Sequence, residues 1–105
     1  MRPRPFKQVN KFGAKRTNGY ASKREAEYAA HLASEKAAGN ILGWLEQVPI
    51  KLPGGKYVAD FLVLRLDGTV RLVEVKGVQT AVWKLKLRTL EQTAPEWFAL
   101  LEVVR

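Results

Sequence analysis

Charges set inside apolar strands constrain this chain more than any other feature. Residues 56–77 read KYVADFLVLRLDGTVRLVEVKG, two apolar runs around an Asp67-Gly68 turn, with Asp60, Glu74 and Lys76 among residues that should form a core. A carboxylate placed there loses hydration on folding and needs a compensating partner. The turn decides whether these charges can meet. A two-residue Asp67-Gly68 loop sets Leu66 opposite Thr69 and Asp60 opposite Val75, leaving Asp60 and Glu74 on opposite faces. A three-residue loop with Gly68 in the left-handed region pairs Arg65 with Thr69 and sets Asp60 opposite Glu74, Leu62 opposite Leu72 and Leu64 opposite Val70. In that second register Asp60, Glu74 and Lys76 project from one face at adjacent positions.

The flanking segments have clear punctuation. Residues 1–17 carry Arg2, Arg4, Lys7, Lys11, Lys15 and Arg16 with two prolines and no periodicity, the pattern of a basic arm preceding one domain over residues 18–105. Residues 22–38 are rich in Ala and Glu, predicting a helix capped by Ser22 and ended by Gly39. At 100° steps Ala26, Tyr28, Ala29, Ala30, Leu32, Ala33 and Ala37 form a broad apolar arc that contains Glu25 and excludes Glu27. Residues 41–52 read as a strand that Pro49 marks as an edge or a bulge, and Pro53-Gly54-Gly55 turns the chain. The central strands, residues 56–66 and 69–76, are apolar on both faces, as strands covered on two sides should be. Thr80 caps a second predicted helix running to about Gln92, with Val82, Trp83, Leu85, Leu87 and Leu90 on its apolar side and Lys84 and Arg88 opposite. Lys86 interrupts that arc as a snorkelling or phosphate-facing residue. Ala94-Pro95 ends the helix, and residues 97–104 read as a last strand. The order is one helix, three strands, one helix, one strand.

Composition bounds the chemistry. The 105 residues suffice for a single core, and no cysteine is present for disulfides or thiolate metal sites. One histidine, His31, cannot assemble a zinc site. Any metal must therefore be held by oxygen. Two carboxylates about 4 Å apart repel by roughly 4 kcal/mol at an effective dielectric of 20, which calls for a cation or a shared proton. Mg²⁺ or Mn²⁺ suits such a donor set and leaves coordination positions for water and phosphate. A net charge of +8 favours a polyanionic partner, nucleic acid first. No apolar run approaches the roughly 18 residues of a spanning helix and no signal-peptide core follows the basic start, so the chain reads as soluble and cytoplasmic.

Each candidate also has an ordinary explanation. Ser22-Lys23-Arg24-Glu25 is a capping box in which Glu25 bonds back to the Ser22 amide. Glu74 and Lys76 fit a solvated ladder of charges, and Asp60 fits a charge at a strand's open end.

Taken together and in order, an inward glutamate on a helix, an Asp on one strand and Glu-x-Lys on the next resemble the PD-(D/E)XK nuclease superfamily. Lys11-Phe12-Gly13-Ala14-Lys15, Ser22-Lys23-Arg24-Glu25-Ala26-Glu27-Tyr28, Tyr57-Val58-Ala59-Asp60-Phe61 and Glu74-Val75-Lys76-Gly77 resemble small phage-encoded endonucleases related to Holliday junction resolvases. Residues 80–90 also resemble the helix that follows the lysine there, and Ala59 stands where the superfamily's name places proline. The resemblance implies an α/β, restriction-endonuclease-like αβββαβ core with a mixed four-stranded sheet. It also implies Mg²⁺- or Mn²⁺-dependent hydrolysis of DNA phosphodiesters, by a phage-encoded or prophage-derived protein in a bacterial host. Asp60, Glu74 and the Val75 carbonyl would hold the ion, Lys76 would orient or deprotonate water or stabilise charge, and Glu25 would bind a second ion or position water. Gln47 is an additional candidate from the neighbouring strand. The basic arm, Lys84, Lys86 and Arg88 would contact the DNA backbone, and cleavage of a junction would require a homodimer. The competing reading is a catalytically inactive basic nucleic-acid-binding domain of the same fold.

Overall fold

The computed structural model describes residues 22–105, so the basic arm, with Arg2, Arg4, Lys7, Lys11, Lys15 and Arg16, lies outside the described residues. Helix α1 spans Lys23–Ala37, and its first turn is closed by Ser22, whose Oγ accepts from the Glu25 N–H at 3.1 Å. Its end is a Schellman motif: Gly39, at φ +80°, donates to the Lys36 carbonyl and Asn40 to the Glu35 carbonyl. Strands β1 (Ile41–Leu52), β2 (Gly55–Arg65) and β3 (Val70–Val75) follow, then helix α2 (Ala81–Thr93), the short helix α3 (Pro95–Phe98) and strand β4 (Leu101–Val104). The sheet order is β1-β2-β3-β4, antiparallel across the first two pairs and parallel between β3 and β4. The protein is thus an α/β fold with the αβββαβ order and a mixed four-stranded sheet between helices. Among the described residues no helix is long and apolar enough to cross a membrane.

The β2–β3 connection takes the three-residue form. The Arg65 N–H donates to the Thr69 carbonyl, the Gly68 N–H returns to the Arg65 carbonyl, and Gly68 sits at φ +86°. Asp67 stabilises the loop by accepting from the Thr69 N–H at 2.9 Å and its hydroxyl at 2.6 Å. Leu62 pairs with Leu72 and Leu64 with Val70, the register in which Asp60 faces Glu74.

Each helix touches the sheet along a narrow seam. On α1 the buried residues are Glu25, Ala29 and Leu32, at positions i, i+4 and i+7. Ala29 and Leu32 pack with Phe61, Val63, Val73 and Val75. The apolar arc expected from the sequence is wider than the seam, since Ala30, Ala33 and Ala37 are exposed. On α2, Trp83, Leu87 and Leu90 repeat the same spacing against Ile50, Leu52, Tyr57, Ala59 and Leu72. Val82 and Leu85, expected on the covering side, are 66% and 62% exposed because a seam of this width leaves no room for their flank. The last strand is also shorter than expected. Pro95 presets the backbone for a helical turn, and Phe98 and Ala99 donate to the carbonyls of Ala94 and Pro95, so β4 begins only at Leu101.

Substituting Gly68→Ala should cost about 1–2 kcal/mol, because the added Cβ disfavours the left-handed backbone. Urea denaturation checks this, and Leu66→Ala in the same loop, at a 57% exposed position, should leave the midpoint unchanged.

Candidate active site

Strict alternation along β2 would send Tyr57, Ala59, Phe61 and Val63 to one side of the sheet. They divide instead: Tyr57 and Ala59 pack with Trp83 and Leu90, Phe61 and Val63 with Ala29 and Leu32. The reversal falls at Asp60. The β1–β2 register stays continuous across it, pairing Glu46 with Phe61 and Val48 with Ala59, so Gln47 stands opposite Asp60. Gln47 has φ +53°. At this level β2 also leaves β3, the ladder between them reaching only Phe61 and Val73. Asp60 takes over from the backbone at the split, its Oδ2 accepting the Val75 N–H at 2.8 Å.

A chain of hydrogen bonds crosses the sheet at this point. The Trp83 indole N–H donates to the Tyr57 hydroxyl at 3.2 Å, and that hydroxyl donates to Glu74 Oε1 at 2.9 Å. Asp60 and Glu74 face each other closely enough to shift one another's carboxyl, and Gln47, opposite Asp60, donates its amide to Glu25 Oε2 at 3.3 Å. Lys76 places its ammonium 5.6 Å from the centre of the Trp83 ring, a cation–π contact that keeps the charge beside the carboxylates. Glu74, Lys76, Tyr57, Trp83 and Lys86 share a cleft of about 260 Å³ between β3 and α2.

Burial sets the protonation of the acidic pair. Asp60, Glu74 and Glu25 are 8%, 6% and 9% exposed. Burial first, and the facing Asp60 second, push the Glu74 carboxyl up to about 8. Burial also raises Asp60, against the lowering effect of the Val75 N–H, Glu74 and Lys76. At neutral pH the Glu74 carboxyl is therefore mostly protonated. Burial and the neighbouring Glu74 keep the Tyr57 hydroxyl protonated and so fixed as a donor.

The structure brings Glu25, Gln47, Asp60, Glu74 and Lys76 to one junction, and Lys86 to its rim. Glu27 is exposed on α1, away from the seam. Lys84 and Arg88 are exposed on α2 and line no part of the cleft beside Glu74. Both halves of the capping-box alternative can be weighed: Ser22 caps the helix, while the Glu25 carboxylate accepts from Gln47. Among the described residues no three His, Asp or Glu side chains are grouped closely enough to hold an ion, so the acidic core is the Asp60–Glu74 pair, with Glu25 linked to it through Gln47. Two carboxylates with neighbouring backbone oxygen suit Mg²⁺, which takes one or two carboxylates and keeps several waters.

Sequence reasoning missed Tyr57 and the polar role of Trp83. Period-two alternation puts Tyr57 and Glu74 on opposite faces, and only the reversal at Asp60 brings them together. Arg24 was missed as well. It lies across Gly77, where a Cβ would stand 2.9 Å from its Nε, and so sets a guanidinium against the backbone just after Lys76.

A carboxyl raised by folding contributes its stability below its ordinary pKa of 4.5 and loses it as pH rises through about 8. The metal-free protein should therefore melt at progressively lower temperature across that window. Glu74→Gln, which keeps the shape and cannot ionise, should melt higher than wild type at the alkaline end and match it at the acidic end, as followed by circular dichroism.

No curated protein and no solved structure matches the chain. A family model does match, over residues 9–100, and that span includes every residue of the junction. The chain belongs to the family described as "Protein of unknown function (DUF1064)".

Proposed function

We propose that this protein is a metal-dependent DNA endonuclease that hydrolyses phosphodiester bonds to leave 5′-phosphate and 3′-hydroxyl ends, either on branched or junction DNA or as a nickase. The buried Asp60–Glu74 pair, with Lys76 beside it on an open cleft, carries this reading. A core strand gains nothing from two facing carboxylates, whereas a divalent cation turns their repulsion into binding.

Asp60, Glu74 and the Val75 carbonyl would hold the ion. When bound, Mg²⁺ supplies a Lewis acid for the scissile phosphate and an acidified water. Holding it would require loss of the proton that burial keeps on Glu74, so affinity for the ion would rise with pH up to about 8, the value to which Glu74 is pushed. Tyr57, donating to Oε1, fixes the rotamer of Glu74. Lys76 presents its ammonium at the phosphate, where it stabilises the charge of the pentacoordinate transition state. Water forms a bond to phosphorus, the P–O3′ bond breaks, and the departing O3′ takes a proton. Lys86 on the cleft rim, and Arg24 beyond Gly77, would contact backbone phosphates of the substrate.

No base-reading helix is legible in the sequence, so DNA shape is the expected basis of selection. Cutting a junction requires two coordinated nicks and hence a homodimer, whereas a monomer suits nicking. The setting would be the cytoplasm of a bacterial host, with the protein phage-encoded or prophage-derived.

Incubation with supercoiled plasmid, linear duplex and a synthetic four-way junction, with Mg²⁺, Mn²⁺ or EDTA, tests the proposal. Cleavage should require the metal, should fall below detection in Asp60→Asn, Glu74→Gln and Lys76→Ala, and should persist in Glu27→Gln. An inactive DNA-binding domain would bind equally with and without Mg²⁺ and cut none of these forms. Lys86→Ala should reduce the salt dependence of junction binding by about one unit of log–log slope, measured by fluorescence anisotropy.

A further inference from the structure

We infer that Gln47 is a positioning residue of the proposed site, its amide tying Glu25 of α1 to Asp60 of β2 so that Glu25 acts on the metal-binding pair through it. This rests on the metal-dependent reading above and extends it to a residue that binds neither metal nor DNA.

Three independent observations converge on this residue. The first is the backbone. Gln47 is the only non-glycine residue with positive φ among the described residues, at 53°. That conformation is strained for an L-residue and persists where the surrounding structure over-determines it, most often at functional sites. Gln47 is itself exposed, so packing in the core does not account for it. The second is position. Gln47 stands opposite Asp60 at the level where apolar side chains switch from the α1 face to the α2 face. The third is bonding. Its Nε2 donates to Glu25 Oε2 at 3.3 Å, and its amide lies beside the Asp60 carboxylate, favouring the ionised form.

The choice of an amide follows from charge. A primary amide carries two N–H donors on one nitrogen and can serve both carboxylates at once. It adds no charge: a lysine there would compete with the divalent ion, and a carboxylate would add a third negative group to two already buried. Held from Gln47 and from the Val75 N–H, Asp60 has its orientation set before any ion arrives. Such partners of ligating carboxylates usually change metal affinity by about 10–100-fold when removed.

Two variants separate the backbone from the side chain. Gln47→Gly adopts positive φ without penalty and deletes the amide. Gln47→Asn tolerates positive φ and keeps an amide one methylene too short to bridge. Mn²⁺ titration of the full chain, by calorimetry and by paramagnetic resonance of the free ion, should show both variants folded and binding about 10–100-fold more weakly than wild type. Glu25→Gln should weaken wild-type binding and have no further effect in the Gln47→Gly background. Wild-type Mn²⁺ affinity in both Gln47 variants, or additive effects of Gln47→Gly and Glu25→Gln, would overturn the inference. If the wild type binds no Mn²⁺, the nuclease reading fails instead, and the same cycle in metal-free thermal melts decides the bridge: coupled changes uphold it and additive changes overturn it.

Discussion

Removing two facing carboxylates from water is the constraint that the rest of this structure answers. Asp60 and Glu74 are both buried, and an isolated buried charge would cost several kcal/mol. The surroundings return that cost through specific donors: the Val75 N–H for Asp60, the Tyr57 hydroxyl for Glu74, the Gln47 amide for Glu25, and Lys76 near the pair. The proton that burial keeps on Glu74 at neutral pH relieves the remaining repulsion. Among the described residues no buried side-chain polar atom lacks a partner, so the site is fully satisfied without being apolar.

Supplying those donors from both sides of one sheet requires the sheet to change face. The helices do the delivery in parallel fashion. Ser22 caps α1 and accepts from Glu25; Thr80 caps α2 and accepts from Trp83. Each capped residue opens the buried seam of its helix, so each seam begins with a polar group aimed at the junction. Glu25 enters through Gln47 from one side, and the Trp83 indole enters through Tyr57 from the other. The reversal of alternation at Gln47 and Asp60 lets the two lines meet at one pair of carboxylates instead of ending on opposite faces.

Much of this was legible in the residue pattern. Cap residues, Gly39, Pro53-Gly54 and the apolar runs bounded α1, α2 and the first three strands to within a residue or two. Asp60, Glu74, Lys76 and Glu25 drew attention because charged residues in apolar seams need partners. Seam width was not legible, because alanine is compatible with either face of a helix and only packing distinguishes them; hence the exposed Ala30, Ala33 and Ala37. The strand expected from residue 97 begins only at Leu101, because Trp97 and Phe98 favour strands in isolation while Pro95 at the first helical position draws them into a helical turn.

The sequence by itself determined the succession of the main elements and the identity of the charges that had to be reconciled, and it narrowed the β2–β3 loop to two registers. These depend on local capping, turn chemistry and periodicity, which act over a few residues. Tertiary structure alone decided that Tyr57 reaches Glu74, that Gln47 reaches Glu25, and that Trp83 is a donor as well as a core residue. Each of these contacts depends on the strands turning over at one position. That event leaves no mark on hydrophobic periodicity, because both faces of the central strands are apolar on either side of it. The charges in the apolar strands were therefore readable, and the network that makes them tolerable was not.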